Sequence, residues 1–389
     1  MLATTLIVSR LGGPAAQGSF ALVKSVIDLE VAIFSLGLPS AIVFMLNITR
    51  QGYEQTSAYL LRYMVILILI LPVLNIALFV IFYGISSLTE YLTRAVLIGI
   101  AAALLTAFSL FRSLLLVHTD GPKFSFVSNF QWLTIVTFVA FLLNRNPLIF
   151  EIAYTVAGAL SMMLVLCLIA KYQSLVLTPG KRKGIDFAIL RQQSLQVLAQ
   201  TILFGLQPFI TNAFLISQDP TQRSAGLFNV ASLVITLPNL LVALVAPVLF
   251  NRWSKSLDWK GYLIIRKNAL WMGGVAQVIA LLSIPLIPLL LPAIFGEEFL
   301  QAAHPIFILI LSVFAVFSGR VITPALQGLG RTDWVTVSCM GRAISAFLGA
   351  LAAYCCGLPI LYSVALGWCI GEYVALSILL LISGKGRTL

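Results

Sequence analysis

The stretch GSFALVKSVIDLEVAIFSLGLPSAIV, residues 18–43, recurs in the second half of the chain at a constant offset of 208 residues. The alignment needs no gap between Gly18 and Arg112, and it pairs Arg112 with Arg320. The other identical pairs at this offset are Gly18/Gly226, Phe20/Phe228, Val26/Val234, Ile27/Ile235, Leu29/Leu237, Pro39/Pro247 and Glu90/Glu298. Two related halves of this length are typical of a duplicated helical bundle.

The composition is that of an integral membrane protein. Of 389 residues, 60% are hydrophobic and only 10% are charged, and the mean hydropathy of +1.04 excludes an ordinary soluble domain. The apolar runs are continuous rather than alternating, so they predict helices and not barrel strands. About eleven runs are long enough to cross the bilayer: 19–46, 61–85, 94–117, 124–143, 148–170, 192–216, 226–250, 269–294, 304–326, 334–356 and 359–382.

The segment before the first complete span, Met1 to Ser9, is apolar but too short to cross a membrane. At the repeat offset, Leu6–Ser9 aligns with Phe214–Ser217, the end of the span 192–216. We therefore expect roughly 20 residues of a further helix to be missing from the amino end, with a cleaved signal peptide as the alternative. The predicted fold is an all-α membrane protein of two pseudo-symmetric six-helix bundles, about 12 helices in all with the first truncated.

The predicted organisation is an amino-terminal lobe at 1–170, a basic cytoplasmic linker at 171–189 and a carboxy-terminal lobe at 190–389. With the linker placed in the cytoplasm, sixteen basic residues lie on that side and four on the other, which is the positive-inside pattern. Basic residues beside anionic membrane lipids then account for the net charge of +11. No nucleic-acid partner is therefore expected. The chain has no GxxxxGK[ST] motif and no stretch long enough for a soluble catalytic domain, so no enzyme activity is predicted.

Cysteine and histidine usage indicates neither a metal site nor a cofactor. The five cysteines fall in or beside apolar spans, and the two histidines are isolated in sequence. No ligand spacing connects them, so small buried hydrophobic side chains are the favoured interpretation of the cysteines.

Two polar stripes run through predicted spans. Gln193, Gln196, Gln200 and Gln207 recur on one helix face, and Asn229, Ser232, Thr236 and Asn239 do so on the next helix. Polar groups that face lipid lose their hydrogen bonds, so both stripes should face a neighbouring helix or a watery cavity. They predict either helix-to-helix hydrogen bonds or a substrate pathway.

At the repeat offset, the second stripe aligns with Ala21, Lys24, Asp28 and Val31, so two of its four positions are charged in the first half. Lys24 and Asp28 are one turn apart and can pair, and Glu30 lies on a different face. Each charge inside a span costs about 2.5–3.5 kcal/mol on insertion scales. This favours a functional role over a self-neutralising pair with only a packing role.

Four more ionisable residues lie in predicted spans. Arg112 and Arg320 are repeat partners near the cytoplasmic ends of their helices, where they would form a cytoplasmic mouth or extend to the membrane surface. Arg342 and Glu372 lie deeper, which favours them as pathway residues. An anionic substrate would use Lys24 and the arginines, whereas a coupling cation would use Asp28, Glu30 or Glu372.

Several segments resemble one transporter family in order. These are SRLGGPAAQGSFALVKSV at 9–26, FSLGLPSAIV at 34–43, GLFNVASLVITLPNLLVALVAPVLF at 226–250, IFGEEF at 294–299 and PALQGLGRT at 324–332. They resemble the polysaccharide-exporter and O-antigen flippase branch of the multidrug/oligosaccharidyl-lipid/polysaccharide exporter superfamily. The resemblance covers nearly the whole chain, although its motifs are short.

The resemblance implies two facing six-helix lobes in a bacterial inner (cytoplasmic) membrane that expose a cavity to each side in turn. The implied substrate is a polyprenyl-diphosphate-linked oligosaccharide for surface polysaccharide, with glycosyltransferases or a polymerase as partners. The family's cationic cavity carries over to Lys24, Asp28 and the two stripes. Two alternatives stay open: a cation-coupled multidrug exporter of the same superfamily, and a truncated membrane partner that does not transport.

Overall fold

The computed structural model describes residues 2–39, 41–43, 53–83, 88–118, 121–143, 146–172, 187–239, 253 and 258–385. The regular elements in these ranges are helical, which confirms the predicted all-α class. The first half contributes α1 (Leu2–Phe34), α2 (Tyr53–Tyr83), α3 (Leu88–His118), α4 (Gly121–Leu142) and α5 (Ile149–Tyr172). The second half contributes α6 (Phe187–Gln218), α7 (Arg223–Ala231), α8 (Trp259–Leu282), α9 (Ile287–Phe295), α10 (Ala303–Ile310), α11 (Val313–Gly328), α12 (Thr332–Cys355) and α13 (Ile360–Lys385).

Among the described residues, eight helices are long and apolar enough to cross a membrane, or nine if one bent pair counts as a single span. The predicted spans 19–46 and 226–250 both extend into residues outside the described part. Most of the predicted basic linker, 171–189, lies outside it as well.

Contacts divide the chain into two compact units. Apart from the first three residues, the first unit holds residues 23–205, and the second holds residues 4–22 and 206–389. This division differs from the predicted lobes, whose boundary was the linker at residues 171–189. The reason is that two long helices divide: residues 187–205 of α6 pack in the first unit, and residues 4–22 of α1 pack in the second.

Within the second unit, the two copies of the repeated stretch meet at their glycines. A Cβ added to Gly226 would lie 1.8 Å from the carbonyl oxygen of Pro14, and one added to Gly18 would lie 2.0 Å from that of Gln222. The offset that relates Gly18 to Gly226 also relates Pro14 to Gln222, so the contact is reciprocal, as across a two-fold axis. The Ser19 hydroxyl donates to Gln222 Oε1 at 2.5 Å beside it.

The helix entries that lead to these glycines bend at nearly equivalent places. Gly13, just before Pro14, has a positive φ of 70°, and Gln222, the counterpart of Pro14 at the repeat offset, has a φ of 63°. Asp219 supports the second bend, because its carboxylate accepts the backbone N–H of Thr221 at 3.1 Å and that of Ser224 at 2.8 Å. Desolvation alone would raise the pKa of Asp219, but the hydrogen bonds from Thr221 and Ser224 outweigh it and lower the pKa below its usual value.

One predicted span is sharply bent, and two others contain a turn. The span 226–250 has a turn at Ser232, and the span 269–294 begins earlier, at Trp259, and passes through a 3₁₀ turn, Ile284–Leu286. The span 304–326 is two helices, with 58° between Glu297–Ile310 and Val313–Gly328.

Side chains of two neighbouring helices satisfy the backbone at this last break. Gln277 of α8 donates its amide N–H to Ile310 O at 3.0 Å and accepts from Phe314 N–H at 2.9 Å. The Tyr373 hydroxyl of α13 donates to Leu311 O at 2.7 Å. A helix can break at membrane depth when neighbours supply the lost hydrogen bonds, and sequence periodicity does not show where they will.

The glycine contact gives a stability prediction. Gly226→Ala places a methyl group against a backbone carbonyl, and such overpacking costs about 1–3 kcal/mol. We expect a lower thermal unfolding midpoint in detergent, measured by intrinsic fluorescence. Gly274→Ala in α8 is the matched control, since a Cβ there meets no heavy atom within 4 Å. Equal midpoints for the two variants would contradict the close contact.

The helix break gives a second prediction. Gln277→Leu leaves Ile310 O and Phe314 N–H without these partners, and a buried unsatisfied group costs about 1–3 kcal/mol. The unfolding midpoint should fall for Gln277→Leu and stay near wild type for Ser283→Ala, whose hydroxyl bonds Ala280 O in its own helix. An unfolding midpoint of Gln277→Leu at or above that of Ser283→Ala would show that the Gln277 hydrogen bonds do not stabilise the break.

Candidate functional site

In the first unit, α1 places Lys24 and Asp28 one helical turn apart, and their side chains form an ion pair. The Lys24 side chain is 18% exposed and that of Asp28 is 41% exposed. The pair therefore neutralises itself, and Asp28 is its more exposed partner. Its place in a substrate site remains a prediction.

Glu30 lies elsewhere on α1 and has a different partner. Its carboxylate is buried and accepts a hydrogen bond from Asn75 Nδ2 of α2 at 3.1 Å. The same amide donates to Leu71 O, also at 3.1 Å. Gln200 of α6 is buried, whereas the side chain of Gln196 lies outside the described part.

Two arginines of the first unit have identified partners: Arg112 contacts aromatic rings, and Arg94 pairs with an acid. The Arg112 guanidinium lies 5.5 Å from the Phe108 ring centroid and 5.4 Å from that of Phe124, which is the geometry of a cation–π contact. Arg94 Nε contacts buried Glu151 Oε1 at 2.9 Å. Glu151 had no predicted role, although an acid in the first turn of an apolar helix is a visible signal.

The second unit holds a charged cluster made by three neighbouring helices. Arg320 of α11 and Arg342 of α12 both approach the Oε1 atom of Glu372 on α13, at 3.3 Å and 3.4 Å. Arg320 Nε also donates to Asn239 Oδ1 at 2.6 Å. We call Asn239, Arg320, Arg342 and Glu372 the arginine cluster. The cluster joins residues with different predicted roles: Arg320 at the cytoplasmic mouth, Glu372 as a coupling-ion ligand and Asn239 in a polar stripe.

The arginine cluster carries more positive than negative charge. Two guanidinium groups share one carboxylate, and Glu372 is the acid of the described part whose charge acts on Arg320. Arg342 is only 3% exposed and Glu372 is 5% exposed. Two buried guanidinium groups beside one carboxylate can donate charge-assisted hydrogen bonds to an anionic group, so the arrangement favours an anionic ligand. It also disfavours Glu372 as a ligand for a coupling cation in this conformation.

Tight packing holds the cluster in place. A Cβ at Gly371 would lie 2.9 Å from Arg342 O, so α12 and α13 approach closely at this level. Small residues at such positions let membrane helices pack backbone to backbone. The side chains of Arg342 and Glu372 therefore project from two closely packed helices, and such rigid support suits a binding site.

Two other residues of the second stripe form hydrogen bonds to the backbone of their own segment. The Ser232 hydroxyl donates to Asn229 O at 2.8 Å, and the Thr236 hydroxyl donates to Ser232 O at 3.0 Å. Asn229 Nδ2 is buried without a hydrogen-bond partner among the described residues. Asn239 is thus the stripe residue that reaches the arginine cluster. Asn75 and Gln277 are lone amides in apolar spans, so no periodic pattern in the sequence marks them as hydrogen-bonding residues.

No protein-family model and no curated protein matches the sequence. Among solved structures, the chain is similar to an inward-facing conformation of a multidrug resistance MATE family transporter of the MOP superfamily. The TM-score is 0.75 at 14% identity, over 100% of this chain and 95% of that one. This chain has the MATE transporter fold.

Other MATE structures agree with that assignment. An outward-facing conformation of a multidrug resistance MATE family transporter gives a TM-score of 0.72 at 14% identity, over 99% of this chain and 90% of that one. The Vibrio cholerae MATE transporter VcmN in its bent form gives 0.68 at 14% identity, over 99% and 91%. The fold has two six-helix bundles, which confirms the architecture predicted from the repeat.

The charge arrangement predicts strong coupling between Glu372 and the arginines. Glu372→Gln removes the carboxylate that Arg320 and Arg342 share, and breaking such a buried pair costs about 3–5 kcal/mol. The double variant Glu372→Gln/Arg342→Gln should recover part of the lost unfolding midpoint, because it also removes one of the two cations that had shared Glu372. Additive losses in the two single variants and the double variant would contradict the shared ion pair.

Proposed function

We propose that the protein is a membrane transporter that moves a polyprenyl-diphosphate-linked oligosaccharide between leaflets of the cytoplasmic membrane by alternating access. The convergence of two buried arginines on one carboxylate in the arginine cluster carries this proposal. A diphosphate brings several negative charges into a region of low dielectric, so it needs fixed cations there. Arg320 and Arg342 supply them from two packed helices, and Glu372 sets the orientation of both.

The MATE fold supports the transport step. The similar solved structures include one transporter described as inward-facing and one described as outward-facing. We infer that this chain uses the same kind of exchange. The glycine contact of Gly18 and Gly226 provides a close, smooth helix surface, and the break at Leu311 and Ser312 provides a place where a helix can change its bend.

The self-neutralised pair in the first unit gives a second role. Asp28 is the more exposed partner, so an arriving phosphate can replace it at Lys24 while Asp28 accepts a proton or a coupling cation. Glu30, already bonded to Asn75, is the second candidate for the coupling ion. Both roles follow from charge and exposure within α1.

A multidrug exporter is the second candidate, favoured by the descriptions of the similar structures. Substrates that are organic cations require carboxylates that are not already neutralised. Here Glu372 faces two arginines and Asp28 faces Lys24, whereas Glu30 accepts a hydrogen bond from the neutral Asn75 amide. Two of these three acids are paired with cations, which favours an anionic substrate over a cationic drug.

Transport can be measured with the purified full chain in lipid vesicles. We expect wild-type protein to speed the exchange of a fluorescent polyprenyl-diphosphate sugar between leaflets, and Arg342→Gln to reduce it tenfold or more. Arg331→Gln is the matched control, because the Arg331 guanidinium stacks on Trp334 at 4.9 Å, outside the cluster. Lys24→Ala tests the first-unit cation in the same assay.

The outcomes separate the candidates. Movement of a fluorescent organic cation, with none of the lipid-linked sugar, would replace the proposal by the multidrug function. Wild-type rates in Arg342→Gln would remove the arginine cluster from the substrate path. Wild-type rates in Lys24→Ala would remove Lys24 alone.

A further inference from the structure

A pocket of about 150 Å³ lies within the second unit, between α6, α12 and α13. Its walls are almost entirely apolar, and three of the lining side chains are aromatic: Phe214, Phe347 and Trp368. Edge contacts hold two of these rings in place. Trp368 lies 5.6 Å from Phe228 between ring centroids, and Phe214 lies 5.6 Å from Tyr354. A dry apolar cavity of this size holds a ligand about as large as one benzene ring.

The pocket opens at membrane depth. Lining residues Phe347 and Ile210 are 51% and 37% exposed, so the mouth is at the protein surface. All three helices qualify as membrane spans in this region, Val197–Gln218, Thr332–Cys355 and Ile360–Ile382. A lipid-soluble ligand can therefore enter from the bilayer without passing through water.

One polar side chain interrupts the apolar wall and lacks a partner. Gln207 lines the pocket and is only 9% exposed, and its Nε2 atom has no hydrogen-bond partner in the described part of the chain. The last torsion of a glutamine side chain is broad, so the amide can turn an N–H toward a ligand in the pocket. Because a buried donor without an acceptor is unfavourable, an oxygen on the ligand would supply a missing hydrogen bond.

Water is poorly suited to be that partner. A buried water needs several polar contacts. Thr211 and Trp368 are the other lining residues with polar side-chain groups, and they already bond each other, since the Trp368 indole N–H donates to Thr211 Oγ1 at 3.0 Å. The remaining walls offer only apolar side chains, which favours an organic ligand.

The depth of Gln207 restricts the ligand further. Gln207 lies halfway along the span Val197–Gln218, near the middle of a hydrocarbon core about 30 Å thick. The ester and headgroup oxygens of a phospholipid lie at the edges of that core, so a phospholipid would fill the pocket without an acceptor for the amide. The lining residues described for this pocket include no charged side chain, which disfavours an ionic ligand.

We propose that the pocket binds an uncharged ring compound that carries one oxygen acceptor, of the aryl ketone class. The ring lies among Phe214, Phe347 and Trp368, where contacts between rings add to the burial of apolar surface. The ligand oxygen accepts an N–H of Gln207, and the rest of a larger ligand extends through the mouth into the lipid. This site goes beyond the proposed transport function and does not depend on it.

Binding can be measured by fluorine NMR on the full-length protein in lipid nanodiscs. Two probes of similar size separate the ring from the oxygen: para-fluoroacetophenone and para-fluoroethylbenzene. Gln207→Met removes the amide and keeps the length of the side chain. Ala343→Leu and Ile210→Phe fill the pocket from two different helices. Ala352→Leu is the matched control, since Ala352 is exposed on α12 and does not line the pocket.

We expect wild-type protein to bind the ketone about fivefold more tightly than the hydrocarbon, because only the ketone accepts a hydrogen bond. Gln207→Met should remove that preference and leave the affinity for the hydrocarbon unchanged. Both filling variants should weaken the two probes about tenfold, whereas Ala352→Leu should not. Unfolding midpoints show that each variant is folded, and the two filling variants guard against the loss of one.

Four results would overturn the proposal. Equal wild-type affinity for the two probes would exclude the oxygen contact, and wild-type affinity in both filled variants would exclude the pocket. Equal competition by phenyltrimethylammonium would show that the site takes a cation. Quenching of Trp368 fluorescence by phospholipids with brominated chains, unrelieved by the ketone, would assign the pocket to lipid chains. The transport assay uses none of these probes, so either proposal can fail without the other.

Discussion

A polar group in hydrocarbon has to find its partner inside the protein, and the structure of this chain depends on that constraint. It explains why the described elements are helices, whose backbone bonds close within one segment. It also explains the break between α10 and α11, where Gln277 and Tyr373 replace the hydrogen bonds that the helix loses. The hydroxyls of Ser232 and Thr236 meet the same demand by returning to their own backbone.

The same constraint makes buried charge informative about function. Lys24 and Asp28 satisfy each other, so their pairing alone is compatible with a packing role. The arginine cluster differs because two guanidinium groups share one carboxylate oxygen at a nearly inaccessible site. Two cations that converge on one buried acid can donate charge-assisted hydrogen bonds to an anionic group, which is why the proposed function rests on this cluster.

The repeat gives a symmetric scaffold on which the charges are asymmetric. Gly18 and Gly226 contact the equivalent carbonyls of Gln222 and Pro14, so the glycines serve the same purpose in both halves. Arg112 and Arg320 occupy equivalent positions but have different partners, namely aromatic rings for one and Glu372 for the other. At the repeat offset, Arg342 and Glu372 correspond to Thr134 and Leu164, which cannot build the same cluster. Packing is thus duplicated, whereas the arginine cluster belongs to the second half and the Lys24–Asp28 pair to the first.

Much of the architecture could be predicted because hydropathy and repetition can be read from the sequence without knowing which helices pack together. Apolar runs of membrane length determine helices, and the offset of 208 residues determines two related bundles. The sequence also showed that Lys24 and Asp28 lie one turn apart on one helix, where pairing follows from helix geometry alone. The helix breaks at Ser232 and at Leu311 were not predictable, because the groups that stabilise a break can lie on distant helices.

By itself, then, the sequence determined a duplicated all-α membrane protein with unusual charges inside its spans, because these follow from composition and spacing along single helices. Only the tertiary structure decided which charges meet. Arg320, Arg342 and Glu372 are separated by 22 and 30 residues along the chain, and no periodicity relates α11, α12 and α13. Their convergence depends on how three helices pack, and in particular on Gly371, which lets α13 approach the backbone of Arg342.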